Sequence, residues 1–224
     1  MAQEILQTIA KALETHEPQF LVFSELDRDV ASQVLAHLEQ PKYNFYKSGF
    51  RLHYSAPDRY LRLVLSTEIH GSAASWMRSE VATWFGDGRL DVATLYKILG
   101  WKTTYENFSG EYATSKKTPD LAWTPCINSL HNDYPSVVLE SGPSESNTQL
   151  MRDSLVWLQG TDGAVKSVFP ILEDNRPDPY ITIDEFFSGS PPAGLDPEEQ
   201  LPLGLRRLRG LFKGTIQQSG HLTA

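Results

Sequence analysis

Apolar positions in the first forty-five residues follow a helical period. Residues 2–14 carry apolar side chains at helical spacing, which predicts an amphipathic helix. Phe20–Phe23 is a short apolar run, and Asp27 is a suitable N-cap for a second helix that ends near Leu38. We interpret residues 1–45 as an N-terminal helical cap.

The period changes to that of β-strands from residue 50. Apolar and polar residues alternate over 50–54, a turn containing proline follows, and 61–65 forms a second apolar strand. This pattern predicts a β-hairpin. Residues 71–85 then carry a helical stripe of apolar side chains, and 91–99 is predicted to be another short helix.

The second half of the chain alternates strands and a helix. Residues 136–140 form a short β-branched apolar run, which is typical of a strand covered on both faces. Ser146 or Asn147 can cap a helix that extends to Leu158, and 164–172 is a further apolar strand. This order indicates an α/β fold, with helices packed on the faces of a sheet.

Composition changes again near the C-terminal end. Residues 188–200 are rich in proline and glycine and are interpreted as a linker or surface arm, and 203–212 is a short basic amphipathic segment. We therefore divide the remainder of the chain into a core over 46–187 and a C-terminal segment over 188–224.

Composition and charge narrow the class of protein. Of the 224 residues 40% are hydrophobic and 11% aromatic, which is enough to form a core, and the single cysteine, Cys126, excludes an internal disulfide framework. The formal net charge of −8 means that any site for nucleic acid must be a local basic cluster. With no signal-peptide pattern and no long apolar window, we expect an intracellular protein, cytoplasmic or nuclear, without a membrane partner.

Two carboxylates occupy strand ends in the second half of the chain. Asp120 begins one predicted strand and Glu140 ends the next. Such side chains can converge at one end of a sheet, where their oxygens provide the hard ligands that Mg²⁺ or Mn²⁺ prefers. A divalent ion held there can neutralise a phosphodiester and lower the pKa of a water molecule.

The same stretch resembles a known family. Its markers are Pro119-Asp120, Val138-Leu139-Glu140, a serine-rich turn at Ser144-Glu145-Ser146, Arg152-Asp153 and Trp157-Leu158. They resemble the PD-(D/E)XK nuclease superfamily, and more closely a bacterial subgroup and uncharacterised proteins of filamentous fungi. The similarity covers roughly residues 50–172. It implies a restriction-endonuclease-like core, a mixed β-sheet flanked by helices, and metal-dependent hydrolysis of nucleic acid, with Asp120 and Glu140 as metal ligands.

The sequence departs from this family at the lysine expected two residues after the glutamate, because position 142 is Gly142. In related subgroups that lysine lies on the following helix, where Arg152 is the nearest cation. An arginine can pair with a phosphate but remains protonated and cannot act as a base. Lys117 is another cation that could reach the site, and Glu80 is a candidate for the additional carboxylate that many members of the superfamily place on an earlier helix.

Structural interpretations remain open for each of these residues. Asp120 could begin a turn, Glu140 could form a salt bridge with Arg152, and Glu80 could be an exposed helix residue. Arg152 and Asp153 could be a solvated pair. Two functions are therefore carried forward: a metal-dependent nuclease, and a catalytically inactive relative that acts as a binding or assembly module. Many relatives of this fold form homodimers, which makes a second copy a candidate partner.

Overall fold

The computed structural model gives an α/β chain with several small sheets flanked by helices. It describes the whole chain except residues 19, 41–49, 66–67, 96, 98–103, 128–129, 132, 142–146, 172–177 and 219–224. Contacts divide the chain into unit 1, which contains residues 1–67 and 103–118, and unit 2, which contains residues 68–102 and 119–224. None of the described helices has the length and apolar character needed to cross a bilayer.

The described residues of unit 1 form two α-helices, one short 3₁₀ helix and an antiparallel sheet. Its elements are α1 (Ala2–Thr15), β1 (Phe20–Phe23), α2 (Arg28–Leu38), β2 (Phe50–Ser55), β3 (Tyr60–Leu65), a short 3₁₀ helix (Gly110–Tyr112) and β4 (Lys116–Lys117). The strand order is β1-β3-β2-β4, and every neighbouring pair is antiparallel. The predicted helix pair and hairpin are confirmed.

The two helices of unit 1 bury the apolar side chains of its sheet. Ile9 of α1 and Val34 of α2 belong to one buried cluster with Leu52 of β2 and Leu61 of β3. These positions are the ones that the helical and strand periods predict to face inward. Strand β4 is held beside β2 partly by the backbone N–H of Thr118, which donates to the carbonyl oxygen of Leu52 at 2.8 Å.

Unit 2 contains the remaining helices and three further sheets. Its elements are α3 (Glu68–Gly86), α4 (Val92–Leu95), β5 (Leu121–Trp123), β6 (Cys126–Ile127), β7 (Leu130–His131), β8 (Val137–Ser141), α5 (Asn147–Gln159), β9 (Ser167–Ile171), β10 (Tyr180–Thr182), α6 (Ile183–Phe186), β11 (Gln200–Pro202) and α7 (Leu205–Gln218). Strands β6 and β7 form one antiparallel pair, and β10 and β11 form another.

The main sheet of unit 2 has the order β5-β8-β9. Strand β5 is antiparallel to β8, and β9 is parallel to β8. Helix α5 connects the two parallel strands and contacts both of them, as expected for a crossover between parallel strands. This arrangement confirms the predicted order of strand, helix and strand.

Alternate residues of β8 face opposite sides of this sheet. Val137 and Leu139 belong to the buried cluster that contains Trp76 and Trp84 of α3. The intervening side chains must point to the other face, because successive side chains of a strand alternate. Glu140 does so, since its carboxylate contacts α5 through Trp157.

Three predicted segments differ in detail. The strand predicted over 164–172 begins only at Ser167, because the N–H of Ala164 closes a turn onto Thr161. The segment interpreted as a linker, 188–200, ends in β11, and the carbonyl oxygen of Glu199 accepts a hydrogen bond from the N–H of Ile183. The short helix predicted over 91–99 is described only as α4, and several of its residues lie outside the described part of the chain.

Candidate functional site

Asp120 and Glu140 lie just beyond the last residue pair at one end of the β5–β8 ladder. In this antiparallel pair Leu121 is opposite Leu139, so that Asp120, which precedes β5, and Glu140, in β8, are each the next residue outward. The chain stays beside β8 at this point, because the N–H of Asp120 donates to the carbonyl oxygen of Leu139 at 3.2 Å. The two acidic residues are therefore neighbours at the same end of this strand pair.

Glu140 is a buried carboxylate held by one tryptophan. It is 2% exposed, and the indole Nε1–H of Trp157 donates to its Oε1 at 2.7 Å. An ionised carboxylate in such a setting is costly unless a hydrogen bond, a cation or a metal compensates its charge. The indole hydrogen bond provides part of this compensation and fixes the direction of one carboxylate oxygen.

Asp153 is a second buried carboxylate on the face of α5 that carries Trp157. It is 3% exposed and lies one helical turn before Trp157, between the buried residues Leu150 and Val156. It is therefore not part of a solvated pair with Arg152. The sequence contains a signal for this position, because Leu150, Asp153 and Trp157 follow one another at spacings of three and four.

Arg152 lies on the opposite side of the same helix. Its side chain is exposed, while those of its neighbours Asp153 and Trp157 are buried. The described contacts do not include an ion pair between Arg152 and Glu140. Arg152 is thus available to an approaching ligand, but it does not neutralise Glu140 in this structure.

Glu80 is fully buried and is paired with the C-terminal helix. Both of its carboxylate oxygens accept hydrogen bonds from the guanidinium of Arg207 on α7, with Nε at 2.7 Å from Oε1. The backbone N–H of Gly204 also donates to Oε2 at 3.1 Å. Hydrogen bonding to Glu80 raises the pKa of the Arg207 side chain above its usual value, so that the guanidinium stays charged.

Glu80 and Glu140 have different neighbours within unit 2. Helix α3 packs on the cluster that contains Leu139, whereas Glu140 projects from the other face of β8, toward α5. The described contacts of Glu80 are directed to α7. We therefore leave Glu80 out of the site that contains Asp120 and Glu140.

Lys117 belongs to unit 1, where it is completely buried. It lies on β4 directly opposite His53 of β2, which is in turn opposite Arg62 of β3. All three side chains are at most 3% exposed, so the sheet carries a buried row of basic residues on the face away from α1 and α2. Lys117, predicted as a cation of the site, is thus described here only by its position beside His53 within unit 1.

The donor set at Asp120 and Glu140 suits a hard divalent cation that keeps several waters. Among the described residues, no group of three or more histidine, cysteine, aspartate or glutamate side chains is placed to hold a metal ion together. Mg²⁺ is commonly held by one or two carboxylates, with water and substrate phosphate completing its octahedron. Two carboxylates fit this mode of binding and do not fit a structural zinc site, which needs nitrogen or sulfur ligands.

Known proteins give no independent guide to this site. No protein-family model matches the sequence, and no curated protein sequence is significantly similar to it.

Proposed function

We propose that the chain is a metal-dependent nuclease that hydrolyses phosphodiester bonds of nucleic acid, with a restriction-endonuclease-like core in unit 2. The observation that supports this proposal is the pairing of β5 with β8, in which Leu121 is opposite Leu139 and the adjacent residues Asp120 and Glu140 lie at the same end of the pair. These two residues are twenty positions apart in the sequence.

The order of elements around these residues supports the proposal. Helix α3 precedes β5, β8 follows antiparallel to β5, and α5 leads to the parallel strand β9. In the family that the sequence resembles, the aspartate and the glutamate lie on successive strands of a mixed sheet, followed by a helix and another strand. The order here is similar but not identical, because Asp120 directly precedes β5 and the short strands β6 and β7 lie between β5 and β8 in the chain.

In the proposed site Asp120 and Glu140 hold one Mg²⁺ or Mn²⁺ ion. When bound, this ion would neutralise charge on the scissile phosphate and lower the pKa of a water molecule. Trp157 orients the Glu140 carboxylate through its indole N–H, in the way that outer-shell groups commonly fix metal ligands. Hydrolysis forms a bond from the water oxygen to phosphorus and breaks one P–O ester bond, and the leaving oxygen gains a proton.

Position 142, where the family has a lysine, is Gly142. In the proposed site the positive charge therefore comes from another residue. Arg152 is exposed on the side of α5 away from Trp157, where it can contact a backbone phosphate of bound nucleic acid at a distance from the ion. It cannot take a proton from water, because a guanidinium stays protonated. We therefore assign Arg152 to substrate binding, and the attacking water would lose its proton to bulk solvent.

A catalytically inactive binding or assembly module is the second candidate function. The observation that favours it is the glycine at position 142 together with the net charge of −8, which weakens nonspecific binding to nucleic acid. Such a protein would keep the fold and the buried Glu140 without turning over a substrate.

Metal binding and cleavage by matched variants distinguish these two functions. The variants are Glu140→Gln and Asp120→Asn, which keep the size of each side chain and remove its charge. The control is Glu198→Gln, because Glu198 is an exposed carboxylate of unit 2. Calorimetric titration with Mn²⁺ would be followed by incubation with single- and double-stranded DNA and RNA.

The nuclease proposal expects Mn²⁺ binding by the unmodified protein and by Glu198→Gln. Both site variants should bind Mn²⁺ and cleave nucleic acid at least roughly 100-fold less well. Metal binding without cleavage of any substrate would favour the inactive module. If Mn²⁺ binding is absent, or is equally strong in Glu140→Gln, the proposed site is wrong.

A further inference from the structure

Unit 1 contains a polar cavity unrelated to the proposed metal site. It has a volume of about 450 Å³ and lies between helix α2, strand β2 and the segment from Glu106 to Lys116. This volume is within the range of roughly 300–1,000 Å³ that is typical of small-molecule sites. We call it the α2 cavity.

The charges in the described wall of the α2 cavity largely compensate one another. The ammonium of Lys116 lies between the carboxylates of Glu39 and Glu106, at 3.0 Å from the latter. Burial lowers the pKa of Lys116, but hydrogen bonds to these two carboxylates outweigh it, so the pKa is raised and the ammonium stays charged. Arg28 and Asp29, the other two charged residues of the described wall, are adjacent in the first turn of α2.

A strongly charged ligand fits this wall poorly. Phosphate would approach Arg28 and Lys116 but would also meet the carboxylates of Asp29, Glu39 and Glu106. A polyamine, which is positively charged, would approach these carboxylates but would also meet the cations of Arg28 and Lys116. In either case like charges at close range oppose the gain from the opposite ones. The wall therefore favours a ligand without net charge.

The uncharged groups of the wall offer both donors and acceptors of hydrogen bonds. Ser32 and Thr114 contribute hydroxyl groups and Asn107 contributes an amide. Tyr54 also lines the cavity and is buried, and burial raises the pKa of its phenol, so that the hydroxyl keeps its proton near neutral pH. Leu35 is a buried apolar residue of the same wall.

A wall that combines hydrogen-bond donors, acceptors and apolar side chains matches the chemistry of a sugar ring, which has hydroxyl groups at its edge and C–H groups on its faces. We propose that the α2 cavity binds a neutral, hydroxyl-rich ligand of one or two sugar rings. The proposal does not depend on the nuclease function and concerns a different unit of the chain.

Saturation-transfer NMR on the full chain tests this proposal. The probes are maltose, cellobiose and N-acetylglucosamine, with inorganic phosphate, spermidine and adenosine as ligands of other classes. The blocking variant is Ala36→Trp, because Ala36 is an exposed residue of α2 that lines the cavity. The matched control is Gln33→Trp, on the exposed surface of the same helix but outside the cavity wall.

We expect saturation transfer to at least one of the sugars with the unmodified protein and with Gln33→Trp, and none with Ala36→Trp. Glu106→Gln is a second variant that keeps the cavity open. It should weaken sugar binding about tenfold through the loss of a charged acceptor. Glu14→Gln, an exposed carboxylate of unit 1 away from the wall, should leave it unchanged.

Three results would overturn the proposal. One is the absence of transfer to every sugar at millimolar concentrations. Another is transfer that persists unchanged both in Ala36→Trp and in Glu106→Gln. The third is that phosphate, spermidine or adenosine alone binds in a manner sensitive to Ala36→Trp, which would assign the cavity to another ligand class. Far-ultraviolet circular dichroism of each variant separates loss of binding from loss of folding.

Discussion

Glu80 and Glu140 are both buried carboxylates of unit 2, but their surroundings differ. Glu80 receives two hydrogen bonds from Arg207 and one from the backbone of Gly204. Glu140 accepts a hydrogen bond from the indole of Trp157, and another acid, Asp120, lies at the same end of the β5–β8 pair. The described partner of Glu80 is a cation, whereas the described partner of Glu140 is a neutral donor. Burial of an acid alone therefore says little about function, and the groups around it say more.

The largest effect on stability is expected at Arg207. Arg207→Met leaves the Glu80 carboxylate buried without its guanidinium, and we expect a loss of about 2–3 kcal/mol in the free energy of unfolding, reduced by the partial exposure of the arginine. Urea unfolding measures this loss. Arg206→Met, on the exposed side of the same helix, should change stability by less than about 0.5 kcal/mol.

The double variant with Glu80→Met and Arg207→Met sharpens this prediction. Replacing both partners removes the uncompensated charge, so stability should recover in part. Recovery should be incomplete, because the N–H of Gly204 loses its acceptor. A double variant as unstable as Arg207→Met alone would show that the ion pair is not the source of the effect.

Trp157→Phe tests the hydrogen bond that holds Glu140. The indole of Trp157 donates to the Glu140 carboxylate, while that of Trp84 donates to the carbonyl oxygen of Pro202 at 2.8 Å. Hydrogen bonds to charged groups contribute about 1.5–3 kcal/mol and those between neutral groups about 1 kcal/mol. Trp157→Phe should thus destabilise the protein more than the matched Trp84→Phe in thermal unfolding. Equal losses would indicate that Glu140 is neutral in the folded protein.

Added metal should stabilise unit 2 through Glu140 and not through Glu80. A ligand at ten times its Kd raises the free energy of unfolding by roughly 1.4 kcal/mol when it binds only the folded state. Mn²⁺ should therefore raise the unfolding midpoint of the unmodified protein and leave that of Glu140→Gln unchanged. An equal rise in both would place the ion at other groups.

The smallest effect is expected at Asp91, an exposed carboxylate that provides a reference for the buried Glu80 and Glu140. Its Oδ1 accepts hydrogen bonds from the hydroxyl group and the backbone N–H of Thr94, and these lower its pKa from the usual value of 3.8. Because the folded pKa is the lower one, the resulting stability is present above pH 3.8 and is lost as the pH falls through the folded value. The stability of Asp91→Asn, measured by acid unfolding, should lack this contribution and its loss at low pH.

Sequence patterns predicted most of the local structure because amphipathic periods are local. The strand that carries Glu140 and the helix that carries Trp157 follow from spacings within a few residues. That Asp120 and Glu140 together hold an ion stays a prediction. In contrast, the pairing of Glu80 with Arg207 joins residues separated by 127 positions, and no local period contains this information.

The burial of Asp153 could have been predicted from the sequence, although a solvated pair with Arg152 was left open. Asp153 lies among apolar positions at helical spacing, which indicates a buried face even for a charged residue.

The pair β10–β11 was not predicted because each strand has only three residues, too few for alternation to be recognised. Such strands form because their partners and the helices nearby cover them, and this depends on the tertiary fold.

The hydrogen bond from Trp157 gives this protein a built-in spectroscopic reporter. The indole N–H groups of Trp76 and Trp84 donate to backbone carbonyl oxygens, whose charge does not change, whereas that of Trp157 donates to a group that can gain a proton or a cation. In a ¹⁵N-labelled sample, the indole resonance of Trp157 should therefore shift with the state of Glu140, while those of Trp76 and Trp84 serve as internal standards. Occupancy of one carboxylate can then be followed in solution without an added dye or a substrate.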